Sequence, residues 1–130
     1  MQDEISSTAD AWLRYWHAPA GSPTRERLDW VSDHVRDLLD REPEELWKFI
    51  LLVHRKDQSP AIQQILAAGP LEDLLAKHGQ IFIERIEHEA ATDPAFALLL
   101  GGVWKNRMND HVWARIQAVW DRRGWDGIPK

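Results

Sequence analysis

The chain has 130 residues and a mass of 15.1 kDa, with 16 basic and 21 acidic side chains, a net charge of −5 and a pI near 5.6. That length fits one domain with a radius of gyration of about 14 Å, and the acidic balance argues against a surface built for nonspecific phosphate binding. Cysteine is absent, which excludes a disulfide framework and a thiolate nucleophile.

The N-terminus, MQDEISSTAD, has no basic stretch followed by an apolar run and does not read as a signal peptide. Apolar runs such as Phe49 to Val53 are far shorter than the roughly 20 residues that cross a bilayer. A soluble cytoplasmic protein with no membrane partner is expected. The charge is uneven: residues 1–57 carry 8 basic and 12 acidic groups, residues 58–102 carry 2 and 6, and residues 103–130 carry 6 and 3.

In chain order, Ile5, Ala9, Trp12, Leu13, Tyr15 and Trp16 crowd one side of a helical wheel and leave Asp10, Arg14 and His17 opposite. This predicts a first amphipathic helix. Pro19, Gly21 and Pro23 make a turn, and Ser22 is placed to cap a second helix running to about Arg41. Its core stripe is Leu28, Val31, Val35, Leu38 and Leu39, an arc of about 100° that leaves Trp30 outside.

Pro43, Glu44 and Glu45 start a third helix whose run from Leu46 to Val53 is apolar around more than half its circumference, which makes it the expected central helix. Asp57 to Pro60 is a break, with Ser59 as cap and Pro60 opening a fourth helix that carries Ile62, Ile65 and Leu66. Gly69 can take the left-handed conformation that ends a helix, and Pro70 opens the next. Glu72 and Asp73 then favour the positive end of a fifth helix, and His78 before Gly79 suits the other end. A sixth helix buries Phe82, Ile83, Ile86 and Ala90 while Glu84, Arg85, Glu87 and His88 face water.

Asp93 and Pro94 cap and open a seventh helix, expected to run through Gly101-Gly102 with the glycines serving close helix packing. Asn109 caps a final helix with Val112, Trp113, Ile116, Val119 and Trp120 on its core arc, ended by Arg122, Arg123 and Gly124. The fold class is therefore all-α, a single domain of about seven or eight short helices. Residues 1–42 form an N-terminal helical pair, 43–120 the core and 121–130 a tail held only by Trp125. Prolines at 43, 60, 70 and 94 suggest stacked helical hairpins in the HEAT manner, with a compact irregular bundle as the alternative.

Several motifs also bring a resemblance. Pro43-Glu44-Glu45-Leu46-Trp47, the run from Gly69 to Leu75, His78-Gly79, Asp93-Pro94, Val103-Trp104 and Val112-Trp113 together resemble a bacterial family of small proteins known only as a domain of unknown function. The resemblance covers roughly residues 43–120, and it implies no catalytic residues.

Chemical constellations are sparse. Glu84 and His88 stand at i, i+4, a spacing that offers two metal ligands, but no second pair accompanies them, and no metal or other cofactor is expected. His54 falls on the apolar side of its helix, where a core histidine is the expected reading and a catalytic base the alternative. Phosphate-binding loops and nucleophile elbows are missing. The basic and aromatic C-terminal segment could suggest nucleic-acid binding, yet Trp113 and Trp120 fall on a core arc.

The second helix carries the most functional promise. Glu26, Asp29, Asp33, Asp37 and Asp40 lie within about 80° of arc, with Trp30 and His34 beside them. A plain solvated face would neutralise its charge by Arg25-Asp29 and Arg36-Asp40 pairs and cover Trp30 with the first helix. The functional reading is a non-enzymatic intracellular protein-interaction module that docks a basic protein on this face, as an inhibitor or immunity-type partner. The alternative is an enzyme or small-ligand protein with a pocket near His54 or Glu84 and His88.

Overall fold

Proline sets where helices begin in this chain, because its missing N–H is harmless in a first turn and its φ is already helical. In the computed structural model, which describes residues 3–128, α1 spans Asp3–His17, α2 Pro23–Leu28, α3 Trp30–Arg41, α4 Pro43–Lys56 and α5 Pro60–Leu66. They are followed by α6 (Glu72–Thr92), α7 (Pro94–Leu100) and α8 (Asp110–Val119). Met1, Gln2, Pro129 and Lys130 lie outside the described residues, so the end of the expected tail does too. The all-α class holds, with no strand among the described residues. Where junctions keep helical geometry, segments join, leaving six continuous rods against the seven or eight helices expected.

The expected caps form at three starts. Ser22 accepts from Arg25 N at 3.2 Å, Asp93 from Ala95 N at 3.0 Å, and Asn109 from His111 N at 2.7 Å and Val112 N at 3.3 Å. At the break before α5 the organising side chain is Asp57 rather than Ser59. Its Oδ1 accepts from Ser59 N at 3.0 Å, and its Oδ2 lies 2.6 Å from His17 Nε2.

Three punctuation marks behave differently from expectation. Gly69 does not end a helix in a left-handed turn; Ala67–Leu71 forms a π-helical turn that joins α5 to α6. Glu72 N–H there reaches Ala67 O, and the wider turn accommodates Pro70, which would otherwise clash with the carbonyl four residues back. His78 (φ −127°, ψ 22°) leaves helical geometry where the stop was expected, but as a kink across which the two expected helices run on as α6. Finally, α7 stops at Leu100 instead of running through the glycine pair.

The chain divides into two units, Met1–Ile62 and Gln63–Lys130. In the first, α1, α3 and α4 each pack against the other two, so α4 is grouped with the helices before it. Trp12 meets Phe49 edge to face at 5.7 Å, and Ala9, Val31, Phe49, Ile50 and Val53 are fully buried. In the second unit α6 is the hub, flanked by α7 and α8. Gly79 permits the approach of α8: a Cβ there would lie 2.9 Å from Val112 Cγ1. The same contact is clamped by Arg115, whose Nε and Nη2 donate to Glu87 at 2.8 and 2.5 Å. Glu87 is thus a half-buried ion-pair partner, not a water-facing residue.

Glu72 is buried at the start of α6, where its carboxylate does more than favour the helix dipole. It accepts from Trp104 N at 2.8 Å and Asn106 Nδ2 at 3.1 Å, holding the connection between α7 and α8. The glycine pair belongs to the returning C-terminal segment. A Cβ on Gly102 would sit 2.5 Å from the Trp125 ring, and one on Gly101 would strike the Asp121 carbonyl oxygen. Asp121 N donates to Ala97 O at 2.9 Å, and Trp125 Nε1 donates to Leu98 O at 2.7 Å. Trp125 is half-buried in this seat, so the start of the tail is well held. The last helix ends at Val119, before the arginines expected to close it.

Two glycines should respond oppositely to alanine. At Gly69 a Cβ meets nothing within 4 Å beyond its chain neighbours and φ is outside the left-handed region, so Gly69→Ala should stabilise by up to about 0.4–1 kcal/mol, less whatever the Cβ costs against the ring of Pro70. Gly79→Ala should destabilise by about 1–3 kcal/mol through overpacking against Val112. Denaturant midpoints of the two variants check the signs.

Acid should weaken the second unit. Hydrogen bonds from Arg115 hold Glu87 below the usual carboxylate range, and those from Arg123 hold Asp121 down at about 2. Because these folded values lie below the unfolded ones, the stability they contribute is present above the ordinary carboxylate range. It is lost as pH falls through the folded values, for Asp121 from 3.8 toward about 2. The thermal midpoint should drop over that window, and Glu87→Gln and Asp121→Asn should each remove part of the drop.

Candidate partner-binding face

The acidic face is built on α2 and α3, which helical angles at Asp29 join into the one continuous stretch expected. After the turn at Gly21 (φ 79°), Ser22 and Pro23 open α2, which lasts only to Leu28. Asp29 keeps helical angles (φ −63°, ψ −22°), and α3 follows directly from Trp30. Val31, Val35 and Leu38 are buried as expected, whereas Leu28 and Leu39 are only half-buried. The core stripe is therefore narrower than the sequence implied, which leaves more of this helix pair to solvent.

Arg25 does not pair with Asp29. Its guanidinium lies over the rings of Tyr15 and Trp16, 4.8 and 4.9 Å from their centroids, and its Nε donates to Tyr15 O at 3.0 Å. Two aromatic faces and a carbonyl outcompete one exposed carboxylate, because exposed ion pairs are worth little. The cation that would neutralise Asp29 is thereby drawn onto α1. Sequence reasoning missed this role, since an i, i+4 partner was nearer along the chain than a residue across the turn.

Glu26, Asp29, Asp33, Asp37 and Asp40 are all exposed, and Trp30 is 48% exposed. That tryptophan is only about half covered. It meets His34, half-buried, at 6.1 Å in an edge-to-face arrangement. Part of the ridge charge is offset on the helix itself: Arg41 Nε lies 3.0 Å from Asp37 Oδ1, with both side chains largely in water.

Helix physics does not account for this set. Asp29 and Asp33 sit near the start of α3, where carboxylates suit the dipole, but Asp37 and Asp40 sit in its second half, where they do not. Asp29, Asp33 and Asp37 also repeat at four-residue spacing, and each like-charge step costs about 0.2–0.5 kcal/mol.

The alternative sites are poorer. His54 is 1% exposed, enclosed on the buried side of α4 with Leu46, Trp47, Phe49, Ile50 and Val53. Glu84 and His88 are exposed on α6, and among the described residues no three His, Asp or Glu side chains come together to hold a metal ion. No described helix is long and apolar enough to cross a membrane.

No curated protein and no solved structure matches this chain. A family model does match, over residues 18–124, a longer stretch than the resemblance suggested and one that takes in α2 and α3. By that match the chain belongs to DUF6869, a family of unknown function.

Proposed function

We propose that this protein is a non-enzymatic interaction module that docks a basic protein on the acidic face of α2 and α3. The observation that carries this reading is a half-exposed tryptophan, Trp30, beside five exposed carboxylates, two of which, Asp37 and Asp40, sit in the half of α3 that the helix dipole does not favour. Carboxylates on such a face steer a basic partner toward the surface, and a partly desolvated indole supplies the short-range anchor. An inhibitor or immunity-type relation to a basic, nucleic-acid-directed protein in the cytoplasm would use these features together.

Two other readings find less support. A catalytic role for His54 would require substrate to reach an enclosed side chain. Direct nucleic-acid binding by the C-terminal segment would draw on Lys105, Arg107, Arg115, Arg122 and Arg123, and of these Lys105, Arg115, Arg122 and Arg123 are each paired with a carboxylate of the chain.

The test begins with the protein that copurifies stoichiometrically from the cell of origin, with association measured by interferometry. Replacing Asp33 and Asp37 with Lys should cut the on-rate about tenfold or more at low salt and flatten its salt dependence. Trp30→Ala should raise the off-rate, at a loss of about 2 kcal/mol or more. Binding unchanged in all these variants would contradict the reading.

A further inference from the structure

A cleft of about 310 Å³ opens in the second unit, lined by Gly101, Gly102, Trp104, Arg122, Trp125 and Asp126 among others. Its size lies at the small end of the range for small-molecule sites, about 300–1,000 Å³. Its walls are built. Trp125 is seated on the glycine pair and fixed through Leu98 O, while Trp104 has its backbone held by the buried Glu72 and yet is 64% exposed. The cleft thus has two indoles on anchored backbone and one guanidinium.

The guanidinium of Arg122 has its face over the Trp120 ring at 4.8 Å and its Nη2 on the Asp126 carboxylate. Its Nε is buried and has no acceptor among the described residues. The Nε–Nη2 edge of a guanidinium is matched to the two oxygens of a carboxylate, which can take both donors at once. Asp126 satisfies only Nη2. It is half-exposed and sits at φ 49° on a short turn between Gly124 (φ 89°) and Gly127 (φ 78°).

We propose that this cleft binds a small organic acid, a carboxylate on a flat apolar body, and that Asp126 is its internal competitor. The ligand carboxylate would replace Asp126 on Arg122 and fill both Nε and Nη2, while the flat body lies against Trp104 and Trp125. A buried donor left without an acceptor is costly, so the exchange favours the ligand over the internal pair. A monoanion suits the site, since Arg122 is the one cation among the residues that line it.

The probe is indole-3-acetate, with the uncharged indole-3-acetamide as control, titrated into the intact protein and followed by the NMR signals of the Trp104 and Trp125 indole N–H and the Arg122 Nε–H. All three signals should shift with the acid, and the amide should bind at least about tenfold more weakly. Asp126→Asn removes the competitor and should tighten binding by about tenfold, because a larger fraction of the protein is then competent. Asp110→Asn, which removes the same charge from a pair with Lys105, should leave the affinity unchanged. Arg122→Gln should abolish binding in a protein whose thermal midpoint confirms folding. Equal binding of acid and amide, no tightening in Asp126→Asn, or the same tightening in Asp110→Asn would each overturn the proposal.

Discussion

The second unit depends on one buried carboxylate. Glu72, at the first residue of α6, accepts hydrogen bonds from Trp104 N and Asn106 Nδ2, more than thirty residues along the chain. With those bonds made, Asn106 can sit at φ 46° in a left-handed turn, Met108 is buried and Asn109 is in place to cap α8. The position of α8 follows, with Val112 against Gly79 and Arg115 on Glu87. A buried carboxylate is costly unless its acceptors are filled, so the loop and the helix start stabilise each other. Trp104 stands exposed on that fixed loop, one wall of the cleft that ends at Arg122.

The first unit divides its aromatic residues between two tasks. Trp12 and Trp47 are buried, and Tyr15 and Trp16 are covered on one side by the Arg25 guanidinium. Trp30 is left out of this arrangement, as are the carboxylates on its side of α3. Drawing Arg25 onto α1 steadies α2 and at the same time leaves Asp29 to the ridge. One cation placement therefore connects the packing of the unit to the charge of its proposed binding face.

Much of the fold was legible because helix starts are local chemistry. Ser22, Asp93 and Asn109 cap as their sequence contexts suggest, and Pro23, Pro43, Pro60 and Pro94 open helices. What the sequence hid depends on partners distant along the chain. Gly69 looked like a stop, but a π turn absorbs Pro70 and needs no left-handed residue. Gly101-Gly102 looked like a helix-packing surface, and only the position of Trp125 explains why side chains are excluded there. Glu72 read as a dipole residue because its two donors lie far away. The candidate face was legible as a charge pattern on a wheel, whereas the exposure of Trp30 and the diversion of Arg25 required the packing against α1.

The central claim is that Trp30 serves a surface and not the core of its unit. Comparing the denaturant stability of free Trp30→Ala with that of Trp47→Ala tests it most directly, since Trp47 is 7% exposed and Trp30 48%. Trp47→Ala should lose about 3–5 kcal/mol as a large side chain removed from a core. Trp30→Ala should change stability by no more than about 0.5 kcal/mol, the usual range for surface substitutions. A loss at Trp30 comparable to that at Trp47 would place it in the core and contradict the account.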